Sequence, residues 1–303
     1  MAVIQTIGLS KRYRDKWAVD HVSLKVEQGD IYGFIGQNGA GKSTTLKLLC
    51  GLARPTEGEA LIFDRPIHDP IARRRVGALI ERPGLYPDLS GRENLQLYAT
   101  LLGLDSPAKQ TDEILETVGL PAKEKKPVKQ YSMGMKQRLG VGLALLGRPD
   151  LLLLDEPING LDPEGIRQMR RLLLQLNRER GLTILISSHI LGELSKIASR
   201  YGILSQGKMI EQITAAELEQ KCTDYLLLRA AKPQKAAALL EQRFRLRRWE
   251  MRPEGEIRIY DTVDARAVGE ALAQAGIAVE ELGLHRQDLE GYFLEKMGGA
   301  EHV

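Results

Sequence analysis

The sequence predicts an α/β protein with a mainly parallel β-sheet, and three segments lead to this prediction. Residues 31–35 form an apolar strand, which a glycine-rich loop and a helical pattern over 42–50 follow. The apolar run 151–154 is typical of a fully buried strand. A helical pattern over 163–180 precedes another apolar strand at 183–187, and strand–helix–strand units of this kind connect parallel neighbours.

The other segments place this sheet within a larger domain. Strand-like patterns at 3–9 and 17–26 predict an N-terminal antiparallel β subdomain, and further strands are predicted at 59–63 and 76–80. Farther along, apolar residues recur at helical spacing. A helical subdomain at about 88–146 is therefore predicted as an insertion in the α/β core.

The chain changes character near residue 221. Short strands and helices alternate beyond it, with strands predicted at 225–229 and 257–260 and helices at 232–244, 263–276 and 288–297. Elements of this size fit one small domain. We therefore predict a first domain over 1–220 and a small α+β appendage over 221–303.

The composition of the chain limits which binding partners and which cellular compartment are expected. The 303 residues carry 43 basic and 40 acidic side chains, and the resulting net charge of +3 is too small to indicate nucleic acid. No apolar run approaches the roughly 18 residues of a membrane helix, and the first residues lack the apolar core of a signal peptide. Cys50 and Cys222 are far apart, as expected of reduced thiols. The chain is expected in the cytoplasm.

Residues 36–43 read Gly-Gln-Asn-Gly-Ala-Gly-Lys-Ser, which fits the phosphate-binding pattern G-x-x-x-x-G-K-[ST]. Its glycines let backbone N–H groups converge on phosphates, and the N-terminus of the following helix adds partial positive charge. Lys42 would reach the β- and γ-phosphates, and Ser43 would offer its hydroxyl to Mg²⁺. The motif predicts a P-loop NTPase core with ATP and Mg²⁺ as cofactors.

The apolar run 151–154 ends in two carboxylates, Asp155 and Glu156. Asp155 is suited to hold Mg²⁺ together with Ser43. Glu156 points elsewhere, since neighbouring residues of a strand face opposite sides, and is the candidate general base for an attacking water. At this distance after a phosphate-binding loop, the pair predicts an ATP-hydrolysing site.

Residues 131–138 resemble the signature motif of ABC ATPases, which usually reads L-S-G-G-Q. Ser132 and Gly134 match it, whereas a tyrosine and two methionines depart from it. A serine that opens a helix is also an anion site. In the family this motif closes on the γ-phosphate held by the opposite subunit, so the resemblance implies a dimer with the nucleotide sandwiched between two copies.

Other positions continue the resemblance. Residues 159–163 are similar to the D-loop and contain Asp162, and His189 resembles the switch histidine that contacts the γ-phosphate. Tyr13 resembles the aromatic residue that stacks on adenine, with Trp17 as an alternative. Catalytic roles fall to Glu156, His189 and Lys42. The residues expected to bind nucleotide are Tyr13, Gly36, Asn38, Gly39, Ala40, Gly41, Lys42, Ser43, Thr44, Ser132, Gly134 and Asp162.

One departure from the family is informative. The strand 76–80 ends in Glu81, where ABC ATPases usually carry glutamine. Glu81 would either join Ser43 and Asp155 at the metal or orient a water molecule there. Alternatively, it would pair with Arg82 or with a helix of a partner. This glutamate, the unusual signature and the appendage resemble exporters that confer resistance to bacitracin-type and lantibiotic-type peptide antibiotics.

The resemblance covers about 4–217 and implies a separate integral membrane subunit as partner, with this chain at the cytoplasmic face of the membrane. Two alternatives remain open. A soluble ABC ATPase acting on ribosomes or DNA usually has two ATPase halves or a long insertion, whereas 113 positions separate Lys42 from Asp155 here. A regulatory module that binds ATP without turnover would not need Glu156 and His189.

Overall fold

The computed structural model describes residues 1–222, 224–286, 291–293 and 296, so the predicted helix at 288–297 lies largely outside the described residues. These residues separate into two compact units, Met1–Ala215 together with Lys296, and Ala216–Glu295. Within the described ranges, no helix combines the length and the hydropathy needed to cross a bilayer.

The strands are β1 (Ala2–Tyr13), β2 (Lys16–Val22), β3 (Lys25–Glu27), β4 (Ile31–Ile35), β5 (Glu57–Ile62), β6 (Arg65–Pro66), β7 (Val76–Leu79), β8 (Leu151–Asp155), β9 (Thr183–Ser188), β10 (Arg200–Ser205), β11 (Lys208–Thr214), β12 (Asp224–Ala230), β13 (Trp249–Met251), β14 (Ile257–Ile259) and β15 (Val279–Arg286). The helices are α1 (Lys42–Leu49), α2 (Pro70–Arg74), α3 (Gly91–Leu101), α4 (Pro107–Thr117), α5 (Met133–Ala144), α6 (Pro163–Arg180), α7 (Leu191–Leu194), α8 (Ala215–Lys221), α9 (Pro233–Phe244) and α10 (Ala265–Gln274).

A six-stranded sheet in the order β11-β10-β4-β9-β8-β7 forms the centre of the first unit. All of its neighbouring pairs are parallel except β10 with β11, so the predicted mainly parallel sheet is confirmed. Strands β4, β8 and β9 are buried along their whole length, which explains their near-continuous apolar sequences. Because β4, β8 and β9 run in the same direction, the loops that follow them meet at one edge of the sheet.

An antiparallel sheet built on β1 covers the N-terminal part of this unit. Strand β1 pairs with β2, β3 and β5, and β6 extends the sheet beyond β5. The single strand expected at 17–26 is wrong, because His21 has a φ of 51° and the chain leaves the ladder between β2 and β3. The antiparallel N-terminal subdomain itself is present as predicted.

The predicted helical insertion contains α3, α4 and α5, which pack together between β7 and β8 in chain order. Helix α3 begins at a capping box, because the Ser90 hydroxyl accepts from the Glu93 N–H at 3.2 Å while the Glu93 carboxylate accepts from the Ser90 N–H at 2.7 Å. Helix α5 begins after Ser132.

The second unit has the element order β12-α9-β13-β14-α10-β15 and a four-stranded sheet in the order β13-β14-β12-β15. This is the βαββαβ arrangement of ferredoxin-like domains, with every paired strand antiparallel. Leu226, Leu228, Leu240, Ile257 and Leu272 are among the buried residues that join its sheet and helices in one core. The α+β character predicted for the C-terminal part is confirmed.

Candidate active site

The loop between β4 and α1 has a backbone that only glycine permits at two points. A Cβ atom on Gly41, which has a φ of 105°, would collide with the carbonyl oxygen of Ala18. A Cβ atom on Gly36 would collide with the carbonyl oxygen of Leu204 and lie 3.0 Å from the Cβ of Ala40. The spacing of glycines in the motif therefore reflects close approaches of backbone to backbone.

Helix α1 starts with no side-chain cap at Gly41 and no acidic residue in its first turn. Its first N–H groups and its dipole are therefore left to an external anion. Lys42, which is 5% exposed, donates from Nζ to the carbonyl oxygens of Gly36 at 2.7 Å and Gln37 at 3.3 Å. The ammonium group thus lies inside the loop that would hold the phosphates.

Asp155 is the last residue of β8 and is 5% exposed. The Ser187 hydroxyl of β9 donates to Asp155 Oδ1 at 2.6 Å, which fixes the orientation of the carboxylate. The same hydroxyl accepts from the Glu156 N–H at 3.0 Å. Ser187 therefore orders both acidic residues, a role that the sequence analysis did not assign.

Glu156 bridges the two other predicted catalytic residues. One carboxylate oxygen lies 3.2 Å from Lys42 Nζ, and the other lies 2.8 Å from His189 Nδ1. Glu156 also has a φ of 49°, which is uncommon for a residue with a side chain and often marks a functional position. The first residue of α1 and the residues that directly follow β8 and β9 thus contact one another in the order Lys42, Glu156, His189.

The signature segment and the segment that resembles the D-loop are neighbours. Ser132 caps α5, where its hydroxyl accepts from the Met135 N–H at 3.2 Å, and its side chain is exposed. Asp162 caps α6 by accepting from the Gly165 N–H at 3.0 Å. A Cβ atom on Gly134 would lie only 3.7 Å from the Cα of Gly165, so the beginnings of these two helices pack closely.

Two aromatic residues lie on either side of the turn that joins β1 to β2. Tyr13 is 48% exposed, and the Lys11 ammonium lies 5.1 Å from the centre of its ring. Trp17 lines a cleft of about 330 Å³ together with Asn38 and Gly39 of the phosphate loop. Both aromatic side chains therefore remain candidates for stacking on a nucleobase.

Glu81 forms an ion pair with a residue that the sequence analysis did not consider. Its Oε1 lies 2.5 Å from Nζ of Lys47 in α1, and the pair links the phosphate-binding helix to the segment that leaves β7. Hydrogen bonding and the charge of Lys47 lower the pKa of the Glu81 carboxyl. Of the alternatives raised for Glu81, a pair with Arg82 is wrong for the described residues, because the ion pair is made with Lys47, whereas a role at the metal stays a prediction.

Comparison with known proteins places these features in a family. The ABC transporter family profile matches residues 19–159. The bacitracin transport ATP-binding protein BcrA of Bacillus licheniformis is 42% identical over 300 residues, which make up 98% of this chain and 98% of that protein. The lantibiotic transport ATP-binding protein SrtF of Streptococcus pyogenes is 42% identical over 203 residues, or 67% of this chain and 87% of that protein.

A solved structure shows the same cassette. The dimeric post-hydrolysis state of the ATP-binding cassette MJ0796 bound to ADP and Pi matches with a TM-score of 0.64 and 26% identity, over 70% of this chain and 98% of that chain. The fold and the site define a P-loop ATPase of the cassette type. The chain belongs to the family of ABC transporter ATP-binding proteins and is an ATP-hydrolysing subunit of that family.

Proposed function

We propose that this chain powers the export of peptide antibiotics of the bacitracin and lantibiotic kind through a separate membrane subunit. The observation that carries the proposal is the 42% identity to BcrA over 98% of both chains, which extends through the C-terminal unit. A similarity confined to the cassette would support only ATP hydrolysis. The named lantibiotic transport relative supports the same class of substrate.

Two copies of the chain would enclose two ATP molecules, each between the phosphate loop of one copy and Ser132 and Gly134 of the other. The exposed hydroxyl of Ser132 at the N-terminus of α5 supports this arrangement, because such a position favours an anion. The matching MJ0796 cassette is itself dimeric. The charges of the triphosphate would draw hydrogen-bond donors from both copies and hold them together.

The oxygen donors at the end of β8 fit a magnesium ion. Asp155 presents a buried carboxylate whose orientation Ser187 fixes, and Ser43 is the second residue of α1. Among the described residues, no three histidine, cysteine or acidic side chains are grouped as a metal site, so phosphate and water oxygens would complete the coordination. Bound Mg²⁺ would neutralise charge on the phosphates.

Glu156 would act as the base that accepts a proton from the attacking water. Its carboxylate already lies at the mouth of the phosphate loop, 3.2 Å from Lys42 Nζ. His189 would hold the carboxylate through its 2.8 Å contact and sense the γ-phosphate. Loss of that phosphate would remove the contacts that join the two copies and allow them to separate.

A groove of about 520 Å³ on the helical subdomain would receive the membrane subunit, which would place this chain at the cytoplasmic face. Its lining combines apolar Pro83, Leu85 and Met133 with basic Arg82 and Lys136. Buried Gln137 also lines the groove, and its Oε1 atom has no hydrogen-bond partner within the described residues. This lining fits an amphipathic helix that carries acidic side chains for the basic residues and one hydrogen-bond donor for Gln137 Oε1.

Antibiotic susceptibility and co-purification test the proposal together. Lys42→Ala should make cells more sensitive to bacitracin or to a lantibiotic while the chain still co-purifies with its membrane subunit. Lys109→Ala, at an exposed position of α4, is the matched control. Arg82→Glu with Lys136→Glu should instead abolish co-purification and leave ATP binding intact. Unchanged susceptibility of Lys42→Ala cells to every peptide tested would remove the assigned substrate class.

A further inference from the structure

The ion pair between Lys47 and Glu81 joins two parts of the site, the helix behind the phosphate loop and the segment that follows β7. Lys47 lies in α1, directly behind the phosphate loop, whereas Glu81 is the second residue of the segment that leads from β7 to the helical subdomain. The two charged atoms are 2.5 Å apart, and the side chains are 35% and 64% exposed, respectively. Glu81 has a φ of 63°, a conformation that costs free energy for a residue with a side chain.

The position of Lys47 within α1 brings its charge close to the proposed metal ligands. Lys47 follows Ser43 by four residues, so the two side chains lie on the same face of the helix, one turn apart. The hydrogen bond to Glu81 is the largest cause that raises the pKa of Lys47, and partial burial opposes it. The ammonium group therefore holds Glu81 while its side chain lies one helical turn from Ser43.

The charge balance of the site explains why such a cation is needed. Asp155 and Glu156 already supply two negative charges, and Lys42 is engaged with Glu156. A third carboxylate from Glu81 would repel an incoming triphosphate unless a cation balanced it. An exposed ion pair contributes little to folding stability, so stability alone does not account for the strained backbone at Glu81.

We propose that Lys47 is a positioning residue for Glu81. Lys47 binds the Glu81 carboxylate at α1, balances its charge and keeps it away from Ser43 and Asp155. The inference rests on the proposed nucleotide site. If Lys47 instead attracted the triphosphate directly, the net charge of the site would be the same. The effect of Lys47 on nucleotide binding would then not depend on Glu81. The dependence of one residue on the other is therefore the quantity to measure.

A double-mutant cycle on the purified full chain separates these roles. The variants are Lys47→Met, Glu81→Gln and the two combined, and the measurement is the fluorescence of mant-ATP titrated in EDTA and again in excess MgCl₂. In EDTA, Lys47→Met should weaken binding by roughly five- to ten-fold, because an unbalanced carboxylate then faces the phosphates. Glu81→Gln alone should bind like the wild type, because its charge is already balanced, and the combined variant should return to within about two-fold of the wild type. Two independent charges would instead make Glu81→Gln alone bind more tightly.

Two further measurements are controls for this test. Lys47→Arg should bind mant-ATP like the wild type because it keeps the pair, and the thermal melting of each variant should show that the chain is folded. A combined variant as weak as Lys47→Met alone would overturn the inference, because Lys47 would then act on the phosphates directly. If the wild type itself did not bind mant-ATP, the proposed function would fail and this inference with it.

Discussion

Lys42 and Glu156 form an ion pair of 3.2 Å at the centre of the site. Lys42 is 5% exposed, so Glu156 is the counter-charge of a buried cation as well as the candidate base. A nucleotide that entered the loop would replace Glu156 with phosphate as the partner of this ammonium group. The pair therefore connects the stability of the nucleotide-free chain with its catalytic residue.

We expect Glu156→Gln to destabilise the nucleotide-free chain by about 1–3 kcal/mol, because Lys42 would keep its burial but lose its charged partner. Saturating ATP should remove most of this difference, since phosphate would take over the role of partner. Thermal melting with and without ATP measures both effects. Glu116→Gln, an exposed position in α4, is the control and should stay within about 0.5 kcal/mol.

The same Glu156→Gln variant should form stable dimers in Mg-ATP, because binding is kept while hydrolysis, which would separate the copies, is blocked. Size exclusion with light scattering would show a mass near twice that of the 33.7 kDa chain. Adding Ser132→Arg should abolish the dimer by placing bulk and charge on the proposed contact. Dimers that persist in this double variant would place the interface elsewhere.

The base-stacking residue can be identified by substitution at Tyr13 and Trp17. Our sequence-based prediction is Tyr13, so Tyr13→Ala should weaken ATP binding by roughly 5- to 100-fold, the loss of one stacking contact. Trp17→Ala should then have a small effect. Titration of each variant with ATP, followed by calorimetry, measures the difference, and a reversed order of losses would assign the role to Trp17, which lines the cleft beside the loop.

A glycine in β7 tests the packing that supports the site. A Cβ atom on Gly77 would collide with the carbonyl oxygen of Ala144 in α5, so Gly77→Ala should lower the free energy of unfolding by about 1–3 kcal/mol. Gly192→Ala in α7 is the matched control, since no atom lies within 4 Å of its added Cβ. Chemical denaturation should show the control unchanged or slightly more stable.

The sequence predicted the parts of the fold that carry local signals. Strands β4, β8 and β9 are long apolar runs, and the loop after β4 has a fixed pattern of glycines, so both could be recognised without tertiary information. The hairpin of β10 and β11 was missed. Its turn places Gln206 and Gly207 at positive φ, and glutamine there lacks the usual asparagine or aspartate signal.

The contacts that organise the site could not be predicted from the sequence. Ser187 lies inside an apolar strand, and only the pairing of β9 with β8 brings its hydroxyl to Asp155. Lys47 and Glu81 are separated by a helix and several strands, and no local pattern in the sequence links them. Residue types and spacing predicted the chemistry of the site, whereas its supporting partners depend on the tertiary structure.

The place of β4 in the central sheet has a consequence for biosynthesis. This strand carries the phosphate loop, yet its two neighbours, β9 and β10, are made only after residue 180 of the chain. An emerging polypeptide that stops short of them leaves the backbone groups of β4 unpaired. The ability to bind ATP should therefore be acquired late in translation, and truncated products should be bound by chaperones and degraded by proteases.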